Sequence, residues 1–125
     1  MDISKELLRL LMEIAILNYD KGFANEAEQI FEAIAFCRPQ SGYPCIGRAC
    51  VQMYRGNYES AIVTLQNAPY EDFMQEELGK SYLGKALKLA GYNDEARNIL
   101  KEIEEHGRYE VAVNFARELL SVDLT

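Results

Sequence analysis

The chain has 125 residues, 49% of them hydrophobic and 26% charged, with 8 Tyr, 5 Phe and no Trp. That is one domain's worth of sequence, which excludes a two-domain enzyme with a separate cofactor domain, and the hydrophobic share excludes a disordered chain. With 13 basic against 20 acidic side chains the formal charge is −7, which argues against nucleic acid and anionic membrane surfaces as partners.

The first residues, Met1-Asp2-Ile3-Ser4-Lys5-Glu6, lack the basic start and unbroken apolar stretch of a signal peptide, and no run of about 18 apolar residues follows. The segment Leu7 to Leu17 then predicts a helix in which only Arg9 and Glu13 are charged, four apart on one face. The rest is apolar nearly all round. A surface helix normally has an apolar stripe and a polar back, so this one has to be covered by its own neighbour helix, a folded-back segment or another chain.

From Gly22 onward the sequence repeats. Gly22, Gly56 and Gly91 are each followed five residues later by Ala27, Ala61 and Ala96, then by Phe31, Leu65 and Leu100, then by Ile34, Ala68 and Ile103. The period is 34 and then 35 residues. This spacing predicts a helical hairpin in each unit. One helix ends at a glycine able to take the left-handed conformation. A second helix starts near the acidic or amide residue before Glu-Ala and carries an apolar stripe at i, i+4 and i+7. A lone hairpin cannot bury both its faces, so stacked hairpins form the core. Pro39 closes the first unit, and the extra residue of the second is expected in the loop from Asn67 to Asp72. The last unit ends at His106-Gly107, and Tyr109 to Val122 predicts a capping helix with Val111, Val113, Phe115, Ala116, Leu119 and Leu120 on its apolar side.

No catalytic chemistry stands out. There is no glycine-rich phosphate loop and no His-Glu-x-x-His or Gly-x-Ser-x-Gly motif. Cys37, Cys45 and Cys50 are odd in number and form no Cys-x-x-Cys pair, which fits reduced structural thiols rather than a disulfide framework. The single histidine, His106, is too distant in sequence to suggest a metal site or a Cys–His nucleophile, and Glu102, Glu104 and Glu105 read as a solvated helix face. The expectation is a non-enzyme without catalytic residues, cofactor or metal.

The Gly-x-x-x-Glu-Ala pattern, the small residues Ala15, Ala49 and Gly84 seven positions before each glycine, and the Tyr82-Leu83-Gly84 run together resemble the tetratricopeptide repeat. The Trp position of that pattern is filled instead by Leu11, Cys45 and Lys80. The resemblance implies an all-α fold: a right-handed superhelix of three hairpins, with repeats at 8–41, 42–75 and 77–108 and a capping helix at 109–122, forming one domain over 1–125. It further implies that the first helix of each repeat lines a concave groove. The inward positions would be Arg9, Met12, Ile16 and Tyr19; Tyr43, Ile46, Cys50 and Met53; and Leu78, Ser81, Lys85 and Lys88. These form an apolar groove with cations at one end. Met12 and Ile16 stand where the carboxylate clamp for chaperone tails needs Lys and Asn, and Leu78 and Tyr82 where it needs cations, so that use is excluded.

Leu10-Leu11-Met12-Glu13-Ile14-Ala15 with Tyr54-Arg55-Gly56-Asn57-Tyr58-Glu59-Ser60-Ala61 resembles the needle-subunit co-chaperones of bacterial type III secretion. Ile46-Gly47-Arg48-Ala49-Cys50-Val51-Gln52 is similar to the class II chaperones of hydrophobic translocators, which usually carry a longer extension before the first repeat. The needle type implies a cytoplasmic bacterial chaperone. It would work with a small helical co-chaperone, hold the amphipathic helix of the secreted needle subunit and prevent premature polymerisation. The alternatives are a translocator chaperone, or a permanent scaffold such as a homodimer through the first helix.

Overall fold

The structure, a computed structural model, describes residues 3–122; Met1, Asp2 and residues 123–125, the two ends of the expected domain, lie outside the described residues. It is all-α, with seven helices and no strand among the described residues: α1 (Lys5–Asp20), α2 (Ala24–Cys37), α3 (Tyr43–Tyr54), α4 (Tyr58–Gln66), α5 (Phe73–Ala90), α6 (Asn93–His106) and α7 (Glu110–Ser121). None is long and apolar enough to cross a membrane. Each helix packs on the next in chain order, and α3 and α5, and α5 and α7, also touch.

The hairpin turns share one backbone pattern. Gly22, Gly56 and Gly91 have φ of +89°, +80° and +94°, a left-handed conformation that costs a side chain about 1–2 kcal/mol. The residues after them, Phe23, Asn57 and Tyr92, share φ near −90° and ψ of 61–65°. Their N–H groups donate to Asn18, Gln52 and Leu87, five residues back, at 2.9, 2.8 and 2.9 Å. This is the six-to-one bond of a Schellman turn, which satisfies a carbonyl the helix end would leave orphaned.

The small residues set how closely the helices approach. Ala15 and Ala49, with Ala27, Ala61 and Ala96, are buried. At Gly84, a Cβ would lie 2.4 Å from Leu100 Cδ2, so α5 and α6 meet where glycine leaves room for a leucine. One cluster of buried side chains runs from Leu8 to Ala116.

The second unit departs from the expected stripe. Its helix α4 has 9 residues, against 14 in α2 and 14 in α6, and Ala68 lies beyond it, half-buried in the loop. Pro69 explains the early stop: it disfavours helical backbone at the residue before it and cannot donate a helix bond.

Successive units are locked through their loops. The buried Gln75 side-chain oxygen accepts from the N–H of Gly42 at 2.9 Å and of Glu71 at 3.0 Å. Arg38 makes a two-pronged pair with Glu71, at 2.9 and 2.6 Å. The Tyr70 ring fills the space over Gly42 and Gly79. The Arg38 guanidinium holds the Glu71 carboxyl below its ordinary value. A carboxyl lowered by folding stabilises the protein above its unfolded value and loses that contribution as pH falls through its folded one.

Two outcomes check this account. Gly56→Ala, which meets no neighbour within 4 Å, should cost about 1 kcal/mol in urea unfolding from backbone strain alone. Arg38→Ala should lower stability at neutral pH and flatten its decline below about pH 4.5, the ordinary glutamate value; an unchanged pH profile in thermal melts would show that the pair contributes nothing.

Candidate partner-binding surface

Of the twelve positions expected to line a groove, most do not face solvent. Met12 of α1, Tyr43, Ile46, Cys50 and Met53 of α3, and Leu78 and Ser81 of α5 are all buried. Arg9, Ile16, Tyr19, Lys85 and Lys88 are half-buried. Tyr19 donates its hydroxyl to the Cys50 carbonyl, tying α1 to α3. Burial pushes the Cys50 thiol up to about 12 and raises the Tyr19 and Tyr43 hydroxyls. The Cys50 sulfur is therefore an apolar packing group rather than a nucleophile.

At the α5 end this side is met by α7, which packs on both α5 and α6. It runs in the same direction as α5. Glu77 accepts from the N–H groups of Arg108 and Tyr109 at 2.8 Å each, and Ser81 donates to the Ala112 carbonyl at 3.2 Å. Lys88 donates to the carbonyls of Leu119 and, at 2.7 Å, Val122. The Phe115 ring lies 4.7 Å from Tyr82 and 6.0 Å beneath the Lys85 ammonium. Tyr109 also reaches α1: its hydroxyl donates to Glu13, which pairs with Arg9 at 2.7 Å. Burial first, then this bond to a carboxylate, raises the Tyr109 hydroxyl. The cations expected to meet a partner thus meet α7. The face that α7 turns inward has Ala112 and Ala116 buried and Val113, Phe115, Leu119 and Leu120 half-buried against the core, whereas Val111 is exposed. Ala112, which the expected apolar side left out, is buried with Ala116 where a close approach needs small side chains.

The surface left open lies on the other side of α1. Leu7, Leu10, Ile14 and Leu17 are 48%, 43%, 49% and 54% exposed. Their spacing of three, four and three residues puts them in one line along the helix, the a and d pattern of a coiled-coil seam. The buried Leu8, Met12 and Ala15 occupy the opposite line. The helix is therefore apolar on two sides, one facing the core and one facing solvent. Arg9 and Glu13 sit between, held by Tyr109. The sequence showed that this helix needed cover; the spacing of its outer leucines was the unread signal of which side. The partnership of α5 and α7 had a fainter sign in the small residues Ala112 and Ala116, four apart.

Between α2 and α3 a hollow of about 350 Å³ is lined by Phe31, Ala35, Pro44, Gly47 and Val51 with Glu28, Glu32 and Arg48. Among the described residues no group of three or more His, Cys, Asp or Glu side chains could hold a metal. His106 is exposed, 3.9 Å from Glu105.

The chain matches no family model, no curated protein and no solved structure.

The thiols give a direct check of this side of the molecule. Brief iodoacetamide treatment of the native protein should modify the half-buried Cys37 and Cys45 at least tenfold faster than Cys50. Mass spectrometry of the digested protein reads the order, and equal rates would show that the α1–α3–α5 side is open to solvent.

Proposed function

We propose that this protein is a helix-binding chaperone of the tetratricopeptide type, a right-handed superhelix of three repeats closed by α7. In this reading it is cytoplasmic and bacterial, serves type III secretion, and shields the amphipathic helix of a needle subunit together with a small helical co-chaperone. It has no enzymatic activity and needs no cofactor.

The observation that carries the proposal is the open line Leu7–Leu10–Ile14–Leu17 on α1. Four half-exposed aliphatic side chains in register are what a second amphipathic helix covers. A client that self-associates through its own apolar face is kept monomeric while that face lies on α1, and its release exposes the face again. The thrice-repeated turn supports the repeat family, since the glycine conformation and the bond five residues back recur in every unit. The short motifs shared with the needle co-chaperones support the client class. A stable complex covers about 800 Å² on each partner, more than this stripe alone supplies, so α1 anchors an interface that extends beyond it.

The same spacing also suits a second copy of the chain, as in the permanent scaffold, because an a/d stripe is self-complementary. Light scattering on the purified protein separates the two. A scaffold gives a defined homo-oligomer alone, whereas the chaperone gives a defined heterocomplex once its secreted client is supplied. A translocator client in place of a needle subunit would be identified by mass spectrometry of that complex.

Leu10→Glu and Ile14→Glu should each reduce co-purification with the client at least tenfold while far-UV circular dichroism keeps its helical signal. Met12 and Ile46 cannot serve for this test, because both are fully buried and a carboxylate there would break the core. Undiminished binding by both outer-face variants would sink the assignment of α1.

A further inference from the structure

We propose that the trough between α2 and α3 binds an extended, proline-rich segment of a partner protein that carries one large apolar side chain and, three residues from it, a Lys or Arg. The site goes beyond the open line on α1 and does not depend on it. Of the twelve positions expected to line a groove, Tyr19 alone borders the trough.

Two hollows make the trough. The one of about 350 Å³ meets another of about 370 Å³ at Glu28 and Val51, which line both. The other hollow holds Tyr19, Glu26, Tyr54 and Arg55 near the Gly22 turn. In the first, the Phe31 ring lies against the α3 backbone because Gly47 has no side chain: a Cβ there would stand 2.6 Å from Phe31 Cγ. This junction is open where the next one is closed. Tyr70 fills the space over Gly42 and Gly79. Phe36 stands one 34-residue period before Tyr70 and is instead 84% exposed. It continues the line of Glu28 and Glu32 along α2 in four-residue steps. Tyr54, 75% exposed, stands at the opposite end, edge-on to the Tyr19 ring at 6.2 Å.

The charges along the trough are unpaired. Among the described residues none of Glu26, Glu28, Glu32, Arg48 and Arg55 forms an ion pair, although all five line it. A polyproline II segment makes no internal hydrogen bonds, so its carbonyls are open to the guanidinium groups of α3, and aromatic-lined grooves are where such segments dock. The three carboxylates of α2 select a cation. The rings of Tyr19 and Tyr54 beside Glu26 and Glu28 suit it, since a cation is drawn both to a ring face and to a carboxylate. The Tyr19 hydroxyl is raised, by burial first and then by neighbours that include Asp20 and Glu28, in keeping with negative charge at this end. Length sets the spacing of the two side chains. Gly47 and Tyr54 are seven residues apart on α3, which is about 10 Å of helix. Three residues of polyproline II cover about 9 Å and bring residues i and i+3 onto one face. An apolar side chain in the first hollow therefore puts the cation in the other.

Two fluorescein-labelled peptides, Gly-Leu-Pro-Pro-Lys-Pro-Gly and Gly-Lys-Pro-Pro-Leu-Pro-Gly, test the site in both chain directions. At least one should bind the full chain one to one with a Kd below about 1 mM, read by fluorescence anisotropy. The same peptide should shift amide resonances of α2 and α3. Exchanging its Lys for Glu, which leaves the protein untouched, should weaken binding at least fivefold. Glu32→Lys and Tyr54→Ala should each do the same with unchanged thermal melts, since both side chains are exposed. Leu10→Glu on α1 should leave peptide binding as it is, so the result here and the client-binding result there are separate. Absence of binding by both peptides, resonance shifts centred outside α2 and α3, equal binding of the Lys and Glu peptides, undiminished binding by both trough variants, or binding weakened by Leu10→Glu each overturns the proposal.

Discussion

A two-helix hairpin has more apolar surface than its own two helices can cover. Everything else in this protein answers that constraint. The left-handed glycines return each second helix onto the first, and the alanines let the pair close up, which leaves an apolar face turned outward at each unit. The next unit covers that face and exposes another. An array of this kind can pass the problem along the chain but cannot end it without a different device at each end.

The two ends solve it differently. Beyond α6 the device is α7, held at both ends by charged side chains of α5 and touching α1 through Tyr109 and Glu13. The cover is polar in its anchors and small in its buried side chains. At α1 the described residues provide no cover, and four aliphatic side chains remain in solvent. An apolar line of that regularity is expensive to keep exposed unless something binds it. One end is thus closed by a helix that main-chain contacts hold, and the other presents a face of the kind a helix would close.

The repeat was legible in the sequence because its determinants are local. A positive φ asks for glycine and a close approach asks for alanine or glycine, so Gly22, Gly56, Gly91, Ala27, Ala61 and Ala96 announce the hairpins without any knowledge of the fold. The early end of α4 was written in Pro69, but the repeat frame outweighed it and placed Ala68 on the stripe. The groove was less legible. Its inward positions follow from a frame in which the first helices face solvent, and only the three-dimensional structure shows that most of them are buried. The polar locks were not legible at all. Gln75 looks like any helix-surface glutamine until the loop at Gly42 and the loop at Glu71 both turn their N–H groups toward it.

The electrostatics bind these observations together. Buried polar groups are costly unless they are partnered, and several of those described here join one element to another. Gln75 and Arg38 join the loops of successive units, Tyr19 joins α1 to α3, and Glu77, Ser81 and Lys88 join α5 to α7. The strongest upward shifts fall on Tyr and Cys hydrogens that stay in place across the physiological range, so none of these groups is poised to exchange a proton near neutrality. Polar chemistry spent on joining helices, and apolar surface left over on α1, are the two features on which the proposed helix-binding role rests.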